Sequence, residues 1–95
     1  MQVVDLATRA GELHLAKGAA DAARQMAEAA LRVDPWCDRA HRIAIAAHVG
    51  LGDRRATSRA LSRYQAALAE VGVRPEECAR VVAQVAAALG AAVDT

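Results

Sequence analysis

A chain of 95 residues, of which 26 are alanine, makes one small domain at most and favours helix throughout. One Trp, one Tyr and no Phe exclude a large aromatic core, and no apolar run approaches the ~20 residues that span a bilayer. The net charge of +1 is uneven, because residues 37–69 carry six bases and two acids. The first residues lack a secretory signal pattern, so we expect a cytoplasmic protein.

Glycine, proline and aspartate predict where the helices begin and end. Gly18 and Gly72 stand where left-handed helix caps form. Asp34 followed by Pro35 supplies an N-cap oxygen and a proline for the first turn, which predicts that a third helix begins there. Asp53 is the predicted N-cap of the fourth helix. The five predicted helices cover about residues 3–17, 21–33, 35–50, 54–71 and 75–90.

Helical spacing predicts which side chains face the core. Because all connections are short, we expect an all-α fold in which neighbours in sequence are antiparallel neighbours in space. The predicted inward positions, helix by helix, are Leu6, Ala10, Leu13 and His14; Ala23, Met26, Ala27, Ala30 and Leu31; Trp36, Ala40, Ile43, Ala44, Ala47 and His48; Ala60, Leu61, Tyr64 and Leu68; and Cys78, Val82, Val85 and Leu89.

A 34-residue repeat underlies these helices. The segment from His14 to Gly18 recurs from His48 to Gly52. Paired helices of this period bury their apolar faces by stacking, which builds a solenoid that usually binds protein. We expect one domain over residues 1–95, a right-handed superhelical array of antiparallel helix-turn-helix units. Its predicted parts are repeat one at about 4–37, repeat two at about 38–71 and a capping helix at about 75–90.

The first repeat resembles the tetratricopeptide pattern. Gly11 occupies the small position between the paired helices, Ala23 and Ala30 occupy the small positions of the second helix, and Pro35 closes the unit. The second repeat keeps the turn at Gly52 but is degenerate. It departs from the pattern at Ile45, Thr57, Tyr64 and Ala69.

A narrower resemblance covers about residues 10–89. It rests on Leu13 to Gly18, Ala40-His41-Arg42, Gly52-Asp53 followed by Tyr64, and Gly72-Val73-Arg74-Pro75. These stretches resemble the bacterial transcriptional activator domain, which follows an OmpR-type winged helix in SARP-type and related actinobacterial regulators. The resemblance implies an interaction or oligomerisation module that couples a DNA reader to a second copy or to the transcription machinery.

Two other classes of protein remain open. A free-standing adaptor would bind another protein's helix or tail in the concave face of the array. The sensor arm of a regulatory ATPase would have its nucleotide domain outside this chain. In the full reading frame, a winged helix would support the regulator, a P-loop module would support the ATPase, and neither would support the adaptor. The sequence is either a piece of a longer regulator or an independent repeat module.

An arginine stripe is the sharpest candidate for a binding site. Arg55, Arg59 and Arg63 follow at i, i+4 and i+8, which aligns three guanidinium groups on the fourth helix, and Arg39 and Arg42 add charge to the third. These five are the candidate partner-binding residues, as a docking strip for an acidic protein surface or as an ordinary solvated face. The near-neutral charge and scarce aromatics do not favour direct nucleic-acid binding.

The histidines and cysteines are assigned to packing. Cys37 and His41 have i, i+4 spacing that can share a metal, and His14 and His48 hold equivalent places in the two repeats. No other Cys or His lies near them in the sequence, so we expect no bound metal. We also expect the thiols of Cys37 and Cys78 to stay reduced. The sequence has no glycine-rich phosphate loop and no nucleophile elbow, so we expect no enzyme and no cofactor.

The first helix begins with an apolar run at Val3, Val4 and Leu6. A solenoid needs polar surfaces at both of its ends. We therefore expect the isolated chain to self-associate or to be only marginally stable.

Overall fold

The computed structural model describes residues 2–91, and that part of the chain is helical with short connections and no strand. The all-α prediction is confirmed. The connections contain three or four residues each, which makes successive helices antiparallel neighbours. In chain order the helices are α1 at Val3–Ala16, α2 at Ala20–Val33, α3 at Asp38–Gly50, α4 at Arg54–Glu70 and α5 at Pro75–Ala88.

The two predicted repeats use the same turn. Gly18 has φ 74° and Gly52 has φ 69°, in the left-handed region that favours glycine. After α1, the amide of Ala19 donates to the carbonyl of His14 at 2.8 Å, and after α3 the amide of Asp53 donates to the carbonyl of His48 at 3.1 Å. These hydrogen bonds satisfy equivalent carbonyls at the ends of the two helices. The two segments that repeat in the sequence therefore form the same kind of turn.

The third helix begins later than the sequence predicts. The Asp34 carboxylate accepts from the Trp36 amide at 3.1 Å, and the Asp34 carbonyl accepts from the Cys37 amide at 3.2 Å, so Asp34 closes a turn and does not cap a helix. Cys37 is extended, and α3 starts at Asp38. Trp36 consequently lies outside the helix with 54% of its surface exposed. Its predicted inward position is wrong.

The first helix uses a different face from the predicted one. Leu6 is 54% exposed and Leu13 is 61% exposed, whereas Ala7, Thr8 and Gly11 are buried. The buried stripe consists of small residues because α2 and α3 approach α1 closely. A Cβ added to Gly11 would lie 3.1 Å from Ile43 Cγ2 and 3.5 Å from the Cβ of Met26.

The core lies between helices that pack on one another in chain order. Each helix packs on the next one in the chain, and α1 also packs on α3, so the α1–α2 and α3–α4 pairs lie side by side. The predicted inward positions on α2 agree with the structure, with Met26 half-buried. The other predicted core residues that are fully buried are Ala40, Ile43, Ala44, Ala47, Ala60, Tyr64, Cys78 and Val85. Buried residues that the spacing missed include His41, Ile45 and Thr57.

Candidate functional site

The structure divides the five candidate arginines between two surfaces. Arg39 and Arg42 line a groove with residues of α1 and with Leu89, which follows α5, whereas Arg59 and Arg63 line a cavity with His48 and Glu28. On α3, His48 follows Arg39 by nine positions, which is about two and a half turns of helix. The two surfaces therefore lie on opposite sides of α3. Arg39 and Arg42 are therefore separated from the predicted stripe of Arg55, Arg59 and Arg63.

The first surface, which we call the α1–α3 groove, has a mostly apolar floor and charged walls. It encloses a cavity of about 180 Å³. Its lining residues are Glu12, Leu15, Arg39, Arg42, Ile43, Ala46 and Leu89.

The cations of the α1–α3 groove are already paired with acids of the chain. Arg39 donates to Glu12, with Nη2 2.6 Å from Oε1, and Nη1 lies 3.4 Å from Asp5 Oδ1. The hydrogen bond from Arg39 holds the pKa of the Glu12 carboxyl below its ordinary value. Arg42 Nε donates to Asp38 Oδ2 at 2.7 Å. An incoming acidic partner would have to displace these carboxylates.

Asp38 also anchors a buried polar cluster next to the groove. Tyr64 is 1% exposed and its hydroxyl donates to Asp38 Oδ1. The Tyr64 ring stacks obliquely on buried His41, with centroids 5.4 Å apart. His41 Nε2 lies 2.7 Å from the Pro35 carbonyl oxygen, so Nε2 carries the proton and donates it. These contacts join the α2–α3 turn to α3 and α4, which is a structural role.

The second surface, which we call the α4 arginine surface, comprises Arg55, Arg59 and Arg63 with Glu28 and His48. Arg63 Nη1 lies 3.2 Å from each carboxylate oxygen of Glu28, which ties α4 to α2. Arg55 and Arg59 are exposed, and neither forms an ion pair within residues 2–91. Arg59 borders a cavity of about 310 Å³. This surface therefore presents two guanidinium groups that no described carboxylate neutralises.

His48 lies at the edge of the cavity in the α4 arginine surface. It is half-buried, and burial lowers the pKa of its imidazole. The nearby cations of Arg24 and Arg59 act in the same direction, against the carboxylates of Glu28 and Asp53. The imidazole is therefore neutral at pH 7 and can form hydrogen bonds without adding charge.

The cysteines and histidines do not assemble a metal site in the described part of the chain. No group of three or more His, Cys, Asp or Glu lies close enough to hold an ion among residues 2–91. Cys78 is buried and its thiol donates to the Val73 carbonyl at 3.3 Å, and Cys37 is half-buried with a free thiol. His14 and His48 are both half-buried, which places the repeat-equivalent histidines in similar surroundings.

A contact between Trp36 and Glu70 was not predicted from the sequence. The indole Nε1 of Trp36 donates to Glu70 Oε2 at 2.6 Å, so the α2–α3 turn is tied to the last turn of α4. The two residues are 34 positions apart, which is one repeat period. That spacing was the one signal in the sequence from which this contact could have been inferred.

Comparison with protein-family models, with curated proteins and with solved structures finds no match. Within residues 2–91, no helix has the length and apolar character needed to cross a membrane.

Proposed function

We propose that this chain is a protein–protein interaction or oligomerisation module of a bacterial transcriptional regulator. In this proposal it is a tetratricopeptide-like repeat array that couples a DNA-binding domain outside the chain to protein partners, and it acts in the cytoplasm by binding and not by catalysis. The 34-residue repeat with equivalent turns at Gly18 and Gly52 supports the repeat architecture. The resemblance to the bacterial transcriptional activator domain supports the regulatory role.

The observation that carries the binding proposal is the pair of unneutralised guanidinium groups at Arg55 and Arg59. Their i, i+4 spacing places them on one side of α4, beside the cavity that Arg59 shares with His48. A guanidinium binds a carboxylate through two parallel hydrogen bonds, which fixes the orientation of an acidic partner. Arg63, held by Glu28, shapes the same surface. The occupant is therefore an acidic segment of a partner protein.

The α1–α3 groove is a weaker candidate for the same role. Its arginines already form ion pairs with Glu12, Asp5 and Asp38, and a partner would gain little by exchanging one carboxylate for another. The α4 arginine surface offers Arg55 and Arg59 without such competition. The structure therefore favours α4 as the docking element.

A paired set of substitutions in the full-length regulator tests the proposal. Arg55→Ala with Arg59→Ala should reduce binding to the transcription machinery and reporter output about tenfold or more, because two charge-assisted contacts are lost. Promoter affinity should stay at the wild-type level, since the DNA reader lies outside this chain. Binding should be measured with purified RNA polymerase, and the loss should be largest at low salt.

The matched control removes the same charge elsewhere. Arg74→Ala with Arg80→Ala also deletes two exposed arginines, which border a separate hollow at the start of α5 with Glu76 and Glu77. This control should behave as wild type in all three measurements. If the two double variants bind polymerase and activate the reporter equally well, the α4 arginine surface is not a docking site.

A further inference from the structure

The cavity beside His48 has a floor of alanine and charged edges. Ala56, Arg59, Ala60 and Arg63 lie at i, i+3, i+4 and i+7 on α4, so all four are on the same side of the helix. Ala56 and Ala60 are buried, and because their side chains are small they leave a volume of about 310 Å³ beside His48. A hollow with an apolar floor and cationic edges fits a side chain that has an apolar stem and an anionic head.

Two polar groups at this cavity have no partner in the described part of the chain. No hydrogen bond joins a ring nitrogen of His48 to any of residues 2–91, whereas Nε2 of buried His41 donates to the Pro35 carbonyl at 2.7 Å. Arg59 forms no ion pair within the same residues. An imidazole and a guanidinium that border one cavity, both without partners, together form a site for an anion.

The first repeat has the histidine of this surface but not its arginines. His14 occupies the place in repeat one that His48 occupies in repeat two. The positions 34 residues before the three arginines of α4 hold an acid, an amide and a methyl group, at Asp21, Gln25 and Ala29. The turn and the helix pair of repeat one therefore form without cations beside the histidine. Repeat architecture does not account for the arginines of repeat two.

We infer that this cavity binds one carboxylate side chain of the acidic partner, held by Arg59 and His48 together, and that His48 takes up a proton from water when the carboxylate binds. The inference rests on the proposed function and deepens it, because it names the group that is bound, adds His48 to the site and makes docking depend on pH. Arg59 supplies a fork of N–H donors, and the protonated imidazole supplies a further charged donor.

Charged groups on α2, at the start of α4 and on α4 itself surround His48. In the free chain burial lowers the pKa of the imidazole, and the guanidinium groups of Arg24 and Arg59 act in the same direction. The carboxylates of Glu28 and Asp53 act against them. A carboxylate bound at Arg59 neutralises that cation and adds a negative charge beside the ring. The pKa of His48 should therefore rise when the partner binds.

This coupling gives the direction of the pH dependence. A group that holds its proton more tightly in the complex strengthens the complex as the pH falls. The gain is complete below the pKa of His48 in the free chain, and it is lost as the pH rises through the pKa in the complex. The partner's own carboxylates stay ionised above about pH 5. The affinity should therefore rise about threefold or more from about pH 8 to about pH 6.

Binding of RNA polymerase to the full-length regulator at these two pH values tests the inference. His48→Gln keeps a hydrogen-bond donor but cannot gain a charge, so it should match wild type at pH 8 and bind about threefold or more weakly at pH 6. The matched control is His14→Gln, which removes the equivalent half-buried histidine on α1 and should keep the wild-type pH dependence. Circular dichroism should give equal helicity for both variants.

Nuclear magnetic resonance of the 95-residue chain measures the proton itself. The probe is a hexaglutamate peptide, added at low salt, where contacts between exposed charges are least screened. The pKa of the His48 imidazole should rise when the peptide is added, and the pKa of His14 should stay the same. In Arg55→Ala with Arg59→Ala the peptide should leave the pKa of His48 unchanged.

Failure of this inference differs from failure of the docking proposal. If the peptide does not raise the pKa of His48, or if His48→Gln keeps the wild-type pH dependence, the inference is wrong. Docking through α4 then still stands, provided that Arg55→Ala with Arg59→Ala weakens polymerase binding. If that double variant binds polymerase as wild type does at both pH values, the docking proposal fails and this inference fails with it.

Discussion

Asp38 shows how one residue can serve several elements. One carboxylate oxygen accepts from the Tyr64 hydroxyl and the other accepts from Arg42 Nε. His41 stacks on Tyr64 and donates to the Pro35 carbonyl, so the cluster reaches from the α2–α3 turn across α3 to α4. Each alanine contributes little apolar area, so an alanine-rich core defines the packing of the helices only weakly. A polar cluster of this kind helps to specify a single arrangement of the helices.

Tyr64→Phe tests the contribution of this cluster. The variant keeps the ring but removes the donor to Asp38, so it should lower the free energy of unfolding at pH 7 by about 1–3 kcal/mol. Urea unfolding followed by circular dichroism measures the difference. An unchanged free energy would show that the hydrogen bond to Asp38 contributes nothing to stability.

The same variant should change the alkaline limit of stability. Burial, followed by the hydrogen bond to Asp38, raises the pKa of the Tyr64 hydroxyl above its ordinary value of 10.0. The unfolded chain therefore loses this proton first as the pH rises, so the stability due to the neutral hydroxyl is complete below about pH 10 and is lost as the pH rises through the folded-state pKa. Wild type should lose more stability than Tyr64→Phe between pH 7 and about pH 10.5. Parallel pH profiles would contradict this assignment.

At the scale of helices, the sequence predicts the buried face correctly when one side of a helix is apolar and fails when two sides are. On α2 a single stripe of alanines with Leu31 is apolar, and the predicted face is the buried one. On α1 two stripes are apolar, and spacing alone does not reveal that close approach of α2 and α3 selects the small residues around Gly11. The start of α3 was predicted wrongly because Asp34 before Pro35 is equally suited to a helix N-cap and to a turn. In the structure Asp34 forms the turn, and α3 starts at Asp38.

The repeated turns permit a test of equivalence between the two helix pairs. Gly18→Ala and Gly52→Ala should each cost about 1–2 kcal/mol, because both positions have positive φ. A Cβ meets nothing within 4 Å at either site, so the cost is conformational and should be similar in the two variants. Chemical unfolding measures both. A variant as stable as wild type would show that its turn has relaxed out of the left-handed conformation.

At the scale of the whole molecule, residue types were predictable but their distribution over surfaces was not. The five arginines were identified from their spacing along single helices. That spacing does not reveal the ion pairs of Arg39 with Glu12 and of Arg63 with Glu28, whose partners are 27 and 35 residues apart in the sequence. Packing of α1 and α2 on α3 and α4 makes these pairs. It leaves Arg55 and Arg59 for a partner.

Hydrogen–deuterium exchange of the full-length regulator on promoter DNA, with and without RNA polymerase, tests the central proposal most directly. Polymerase should slow exchange in the first half of α4, around Arg55 and Arg59, and Arg55→Ala with Arg59→Ala should abolish this protection. The α1 segment should not change when polymerase is added. Protection that is absent from α4, or that persists in the double variant, would contradict the proposal that this chain docks an acidic partner through the α4 arginine surface.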